Sequence, residues 1–332
     1  MTQTRYDVLA IGNAIVDVIS DADDAFITAQ NLNKGGMTLI DAERAQTLYD
    51  AMGPGREISG GSAANTLAGL SRLGHKTAFI GQVAHDQLGD VFAHDIRATG
   101  IDFDVPARPG QPPTARCLIL VTPDAQRTMN TFLGAAQFLP ETAIDKSKIE
   151  ASAWLYLEGY LWNAPESRAA MTGAIAIAKK AGRKVALTLS DAFVVDGHRD
   201  EFFALMDDGS LDLLFANDTE VRAMMQTEDT EAAVAALAAR VPMLVCTHGA
   251  AGAEAHRGDE HARVGAEKVE RVVDTTGAGD LFAAGVFAGL AEGRSLEDCL
   301  TMGAVCAAEV ISHYGARPEA DIRKLVAKRL GS

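Results

Sequence analysis

At 332 residues, 48% of them apolar, the chain has room for one large or two ordinary domains around a sizeable core. Its formal charge of −15 argues against nucleic acid or an anionic membrane as partner, because both need clustered Lys and Arg; an anionic substrate would need a local positive site. The longest apolar run, around Leu281 to Ala291, is too short to span a bilayer, and the opening MTQTRYDVLAIG lacks the basic and apolar regions of a signal peptide, so a cytoplasmic location is expected.

The first element is the apolar run YDVLAIG at 6–12. Runs of the same kind recur as TAFIGQV, AWLYLEGY, KVALTLS, LDLLFAN and PMLVCTHG, and such runs suit strands buried on both faces. Helical patterns lie between them: Leu67, Leu70 and Leu73 behind a Ser62 cap, Leu88, Phe92 and Ile96 at four-residue steps, and an Ala-rich stretch from Pro165 to Lys180. This alternation predicts βαβ units and a mainly parallel sheet covered by helices. Two stretches, at about 14–40 and 101–135, break the pattern with successive strand-like segments that can pair as a small sheet. Cys117, Cys246, Cys299 and Cys306 show no C-x-x-C spacing and are expected to be reduced core thiols.

Four short segments carry candidate chemistry. GNAIVD puts Asn13 and Asp17 after the first strand, where ligands gather in open parallel sheets; equally, an acid there can be a turn former. In GGSAANT, Gly60 and Gly61 free the backbone to approach a ligand, and Asn65 offers a donor and an acceptor to vicinal hydroxyls; the alternative is a well-capped helix with Asn65 on a solvated face. NDTE places Asn217 and Glu220 either around the waters of a Mg²⁺ or in a capping box. In DTTGAGD, the N–H groups of Gly277, Ala278, Gly279 and Asp280 can form a nest for a phosphoryl group at a helix N-terminus. Asp280 is then a base beside a bound anion, or a plain N-cap. No G-x-x-x-x-G-K-[ST] loop occurs, and the first fifty residues lack G-x-G-x-x-G, which excludes a P-loop kinase and disfavours a Rossmann dehydrogenase. His248 and His313 are isolated and read as structural.

Together, GGSAANT, NDTE and DTTGAGD resemble the PfkB carbohydrate kinase family, also called the ribokinase family, and the likeness extends over essentially the whole chain. Within it, GNAIVDV, YLEGYLW, LTLSDAFV, LLFANDTE and VISHYGARP are most similar to the adenosine kinases and their bacterial relatives. The resemblance implies one ribokinase-like α/β domain over 1–332, with a mainly parallel central sheet flanked by helices and a β lid formed by the segments at about 14–40 and 101–135. It implies transfer of the γ-phosphoryl group of ATP to the 5′-hydroxyl of adenosine, with Asp280 as general base and an anion hole at Gly277, Ala278 and Gly279.

The same resemblance gives the acceptor to Asn13, Asp17, Gly60, Gly61, Asn65 and Tyr160. It gives the ATP phosphates and Mg²⁺ to Asn217, Glu220, Gly249, Arg127 and Thr275, with Asn217 and Glu220 acting on the metal through water and Arg127 as a lid arginine. Tyr160, Trp162 and Phe132 are candidates for holding a flat base, or else core residues. ATP and Mg²⁺ are the implied cofactors; a monovalent cation, and a monomer or homodimer, stay open. So do a ribose, fructose or ketodeoxygluconate acceptor, inosine or guanosine, and a catalytically idle relative that senses ligands. Two positions depart from the adenosine kinases: Thr276 replaces Asn, and Ala304 replaces a larger residue beside the ATP adenine.

Overall fold

Each of the six apolar runs forms a strand of one large sheet in the computed structural model, which describes residues 4–124 and 126–331. The first three residues of the N-terminal stretch, and Ala125 in the second inserted segment, lie outside the described residues. In chain order the strands are β1 (Tyr6–Ile11), β2 (Ile15–Asp21), β3 (Met37–Leu39), β4 (Arg56–Gly60), β5 (Thr77–Ile80), β6 (Ala115–Val121) and β7 (Arg127–Phe132). They continue with β8 (Ser152–Glu158), β9 (Lys184–Thr188), β10 (Leu213–Asn217), β11 (Met243–Thr247), β12 (Ala253–Arg257) and β13 (Glu260–Val264).

The large sheet runs β13-β12-β11-β10-β9-β8-β1-β5. From β11 to β5 every neighbouring pair is parallel, and β12 and β13 add an antiparallel edge. Val185, Ala186 and Leu187 are consecutive and all fully buried, as a sheet covered on both faces requires. The edge hairpin was not expected from the sequence. Its first strand alternates buried Ala253 and Ala255 with more exposed Glu254 and His256, the period of a half-buried strand.

A second sheet, β3-β7-β6-β2-β4, takes β2 and β3 from the first inserted segment and β6 and β7 from the second. Its edge strand β4 comes from neither segment. The first segment also holds a short helix, Asp24–Ala29, capped by Asp23. The chain crosses from the large sheet to the small one between Ile11 and Ile15, so Asn13 sits at the junction of the two.

Two helices meet at that junction. Helix Ala278–Ala291 is anchored from below by Phe287, whose ring lies 5.1 Å from Tyr156, 5.3 Å from Phe215 and 5.8 Å from Trp154. Helix Ser62–Leu73 packs across it at Gly69, where a Cβ would fall 2.6 Å from Leu281 Cδ1 and 2.7 Å from Ala284 Cβ. Only glycine allows this approach, and it carries the first turn of one helix onto the first turn of the other.

Candidate active site

The carboxyl ends of β1, β8, β9, β10 and β11 open into a cavity of about 570 Å³ whose opposite wall is the small sheet. In an open parallel sheet this is where ligands collect. Gly277, Ala278, Gly279 and Asp280 all line it.

Asp280 is not an N-cap. That place is taken by Gly277 in the left-handed conformation (φ +78°), and no side chain caps the helix. As the third helical residue, Asp280 turns into the cavity and accepts hydrogen bonds from Ser62 Oγ (2.6 Å) and Asn65 Nδ2 (3.0 Å). Ser62 is not the cap of its own helix either; Gly61 holds that position (φ +97°), which leaves the hydroxyl for Asp280. Burial raises the Asp280 carboxyl above its ordinary range, opposed by these two hydrogen bonds and the charge of Arg317. Ala278 already gives its N–H to Thr275 O (3.2 Å), so the open donors among the described residues are the N–H groups of Gly277, Gly279 and Asp280.

The loop before the helix is braced by Asp274, which accepts from Thr276 N (3.0 Å), Thr276 Oγ1 (2.7 Å) and Gly315 N (3.0 Å). Asp274 is also ion-paired with Arg127. Arg127 therefore lies buried at the start of β7 and does not line the cavity, and the structure shows it holding the loop. Its Nε and Nη2 are buried without partners.

At the acceptor end, Asn13, Asp17, Gly61 and Asn65 line the cavity together, and Gly60 lies just behind them, a Cβ there falling 2.5 Å from the Asp17 carboxylate. Asn13 Oδ1 and Asn65 Oδ1 are buried and have no partner. Buried acceptors of this kind call for a ligand donor or a water. Burial pushes the Asp17 carboxyl up to about 6, against the pull of Arg317 and Arg127 and with a push from Asp280.

Two residues here escaped the sequence reading. Glu158 ends β8 at 1% exposure and accepts from Asn13 Nδ2 (2.7 Å), Ala63 N (3.0 Å) and Asn13 N (3.3 Å); burial pushes it up to about 7. Its signal was an acid within the otherwise apolar AWLYLEGY. Arg317 reaches Ser59 O (2.8 Å) and Ser59 Oγ (3.1 Å) and supplies positive charge to both Asp17 and Asp280; it lies in VISHYGARP, a segment that carries the family likeness but no site spacing.

At the other end, Asn217, Glu220, Thr247 and Thr275 line the cavity, whereas Gly249 does not. Asn217 and Glu220 form a complete capping box: Asn217 Oδ1 accepts from Thr219 N (2.9 Å) and Glu220 N (3.0 Å), and Glu220 Oε2 accepts from Asn217 N (3.0 Å). Burial pushes Glu220 up to about 7. Both its oxygens are engaged, since Oε1 also accepts from Asn217 Nδ2 (2.6 Å). This donor set suits a Mg²⁺ held through its waters and does not suit a directly chelated one.

Of the three aromatic candidates only Tyr160 lines the cavity, with its ring 6.1 Å from that of Phe193. Trp162 is buried, packs at a tilt against Phe202 and donates to Glu201, and Phe132 is buried without facing the cavity. Met37, Leu39 and Phe193 line the mouth and are 42%, 52% and 44% exposed.

A helix-terminal set of N–H donors, a buried carboxylate beside it and a cavity with unpaired acceptors define an ATP-dependent phosphotransferase with an alcohol group as acceptor. The pfkB family of carbohydrate kinases matches over residues 8–323, and the chain belongs to that family. Kinases of the family use ATP, generally with Mg²⁺.

A probable sugar kinase from Rhizobium etli CFN 42 is 46% identical, with 99% of each chain covered and a TM-score of 0.91. An adenosine kinase from Sinorhizobium meliloti is also 46% identical, with 99% of this chain and 100% of the other covered and a TM-score of 0.90. The adenosine kinase of Saccharomyces cerevisiae is 24% identical over 93% of this chain and 95% of its own length. Among the described residues no helix is long and apolar enough to cross a membrane.

Proposed function

We propose that this kinase phosphorylates the 5′-hydroxyl of adenosine, giving AMP and ADP, with Asp280 as general base. The observation that carries the reading is the Asp280 carboxylate, fixed by Ser62 and Asn65 beside the open N–H groups of Gly277 and Gly279. The acceptor hydroxyl gives its proton to Asp280 as its oxygen bonds to the γ-phosphorus, and the bond to the β-phosphate oxygen breaks. The loop N–H groups take up charge on the transferring phosphoryl oxygens. Asn217 and Glu220 would hold Mg²⁺ through its waters, and the ion would supply positive charge to the phosphates. Arg127 acts through Asp274, holding the loop in place.

Asn13 Oδ1, Asn65 Oδ1 and Asp17 are the acceptors for ribose hydroxyls. What favours a nucleoside over a free sugar is the exposed apolar rim of Met37, Leu39 and Phe193, with Tyr160 beside it, which a flat purine would cover. The equally similar probable sugar kinase supports a second reading with a free sugar as acceptor. Assays across both classes decide between them. Adenosine is expected to have the highest kcat/KM. With one buried acceptor left unpaired, 2′-deoxyadenosine is expected to fall roughly ten- to a hundredfold lower. A higher kcat/KM for any free sugar than for adenosine establishes the sugar reading.

The small sheet is the lid in this scheme. Its β3 carries Met37 and Leu39 over the mouth, so closing it on the base would bury them and exclude water. Adenosine should therefore slow amide exchange in residues 34–40 and 114–134. Identical exchange with and without adenosine rules out closure by these segments.

A further inference from the structure

The edge hairpin β12–β13 gathers donors that the phosphoryl-transfer scheme does not use. Glu254 and His256 lie two residues apart and so share a face of β12, and His261 of β13 is the cross-strand partner of His256. Their side chains converge: His256 Nε2 lies 2.9 Å and His261 Nε2 3.0 Å from the same atom, Glu254 Oε2. One ligand atom from each of the three falls within 4.8 Å of the other two. The two rings are stacked with centroids 4.4 Å apart.

We propose that this hairpin binds an imidazole-preferring divalent transition metal ion such as Zn²⁺, through Glu254, His256 and His261, with water completing the shell. A tetrahedral ion with bonds of roughly 2.0–2.1 Å spaces its ligands about 3.3 Å apart, which the three donors reach with small side-chain shifts. Two nitrogens and one carboxylate oxygen select Zn²⁺, Ni²⁺ or Cu²⁺ and are poorly suited to Mg²⁺. Access is open, because His261 is 49% and His256 25% exposed.

The carboxylate is also held from behind. Glu254 Oε1 is 2.9 Å from His248 Nε2, and His248 Nδ1 is paired with Asp218. A carboxylate oriented by an imidazole that is itself anchored by a second carboxylate is the support a ligand-bearing side chain needs. Cys246 also approaches His248 and Asp218, and it is fully buried. Arg263, opposite Glu254 across the hairpin, makes no ion pair with it among the described residues. The site ties the two edge strands together, and His248 links it to Thr247, at the nucleotide end of the cavity.

The test is a Zn²⁺ titration of chelator-stripped protein in excess Mg²⁺ against a chromophoric competitor. One equivalent is expected to bind and to raise Tm. His256→Ala and His261→Ala should each weaken binding at least tenfold, and His248→Gln, which acts from the outer shell, about 10- to 100-fold. Arg263→Ala, which removes a cation from the same face, should not weaken binding, and circular dichroism checks that the variants stay folded. X-ray absorption should show two imidazole nitrogens on the metal. The proposal is overturned if the wild-type protein binds no Zn²⁺ under Mg²⁺ competition. It is equally overturned if the His256→Ala/His261→Ala double variant binds one equivalent with unchanged affinity.

Discussion

Asp280→Asn is expected to lower turnover by about 10² to 10⁴, the range that general-base assistance supplies, equivalent to roughly 3–5 kcal/mol of barrier. The fold should tolerate the change. The introduced amide can accept from Asn65 Nδ2 with its oxygen and donate to Ser62 with its nitrogen, because a serine hydroxyl serves as donor or acceptor. KM for both substrates should then stay within about tenfold of wild type, since positioning survives and only proton acceptance is lost. In the wild-type enzyme, burial raises the carboxyl, so the ionised base forms later on the pH scale than for a free aspartate. Activity should therefore rise with pH as Asp280 ionises, and this limb should vanish in the variant. Steady-state kinetics across pH give turnover, KM and the pH limb, and a thermal melt gives the stability. Wild-type turnover in a folded variant removes Asp280 from the chemistry.

The central sheet could be read from the sequence because its strands are buried on both faces, which writes each one as a continuous apolar run. β12 could not be read that way, because an edge strand with one wet face carries only a short alternation of Ala with Glu and His. Local signals also mislead where tertiary contacts outbid them. Ser62 and Asp280 each have the chemistry of a helix cap, yet their side chains bond to each other across 218 residues while glycines at positive φ hold both cap positions. The Asn217–Glu220 pair is a counter-case. Its capping box is complete and it still lines the cavity, so the local and functional readings were never exclusive.

Charge balance was the least legible part. The cavity holds Asp17, Glu158, Glu220 and Asp280, all raised by burial, in a chain already at −15. The compensating groups come from distant places: Arg317 from the C-terminal region, bonded to Ser59, and Arg127 from β7, paired with Asp274. Neither pairing has a sequence spacing that could announce it.

Gly279→Val is expected to leave a folded protein with turnover reduced about 10² to 10³, the cost of losing one donor to a developing oxyanion. No atom lies within 4 Å of a Cβ built at Gly279, so the first carbon of a side chain there has open space. Gly279 does line the cavity, however, and its N–H has no backbone partner; a branched side chain at that point would stand in the proposed phosphoryl site. Gly277→Val supplies the contrast. Gly277 sits at φ +78°, and a Cβ there would come within 2.7 Å of Ala316 Cβ, so that substitution should cost stability as well as activity. Tm separates the two cases: near native for Gly279→Val and clearly lowered for Gly277→Val. A Gly279→Val protein with native Tm and wild-type turnover would mean that the phosphoryl group is bound elsewhere in the cavity.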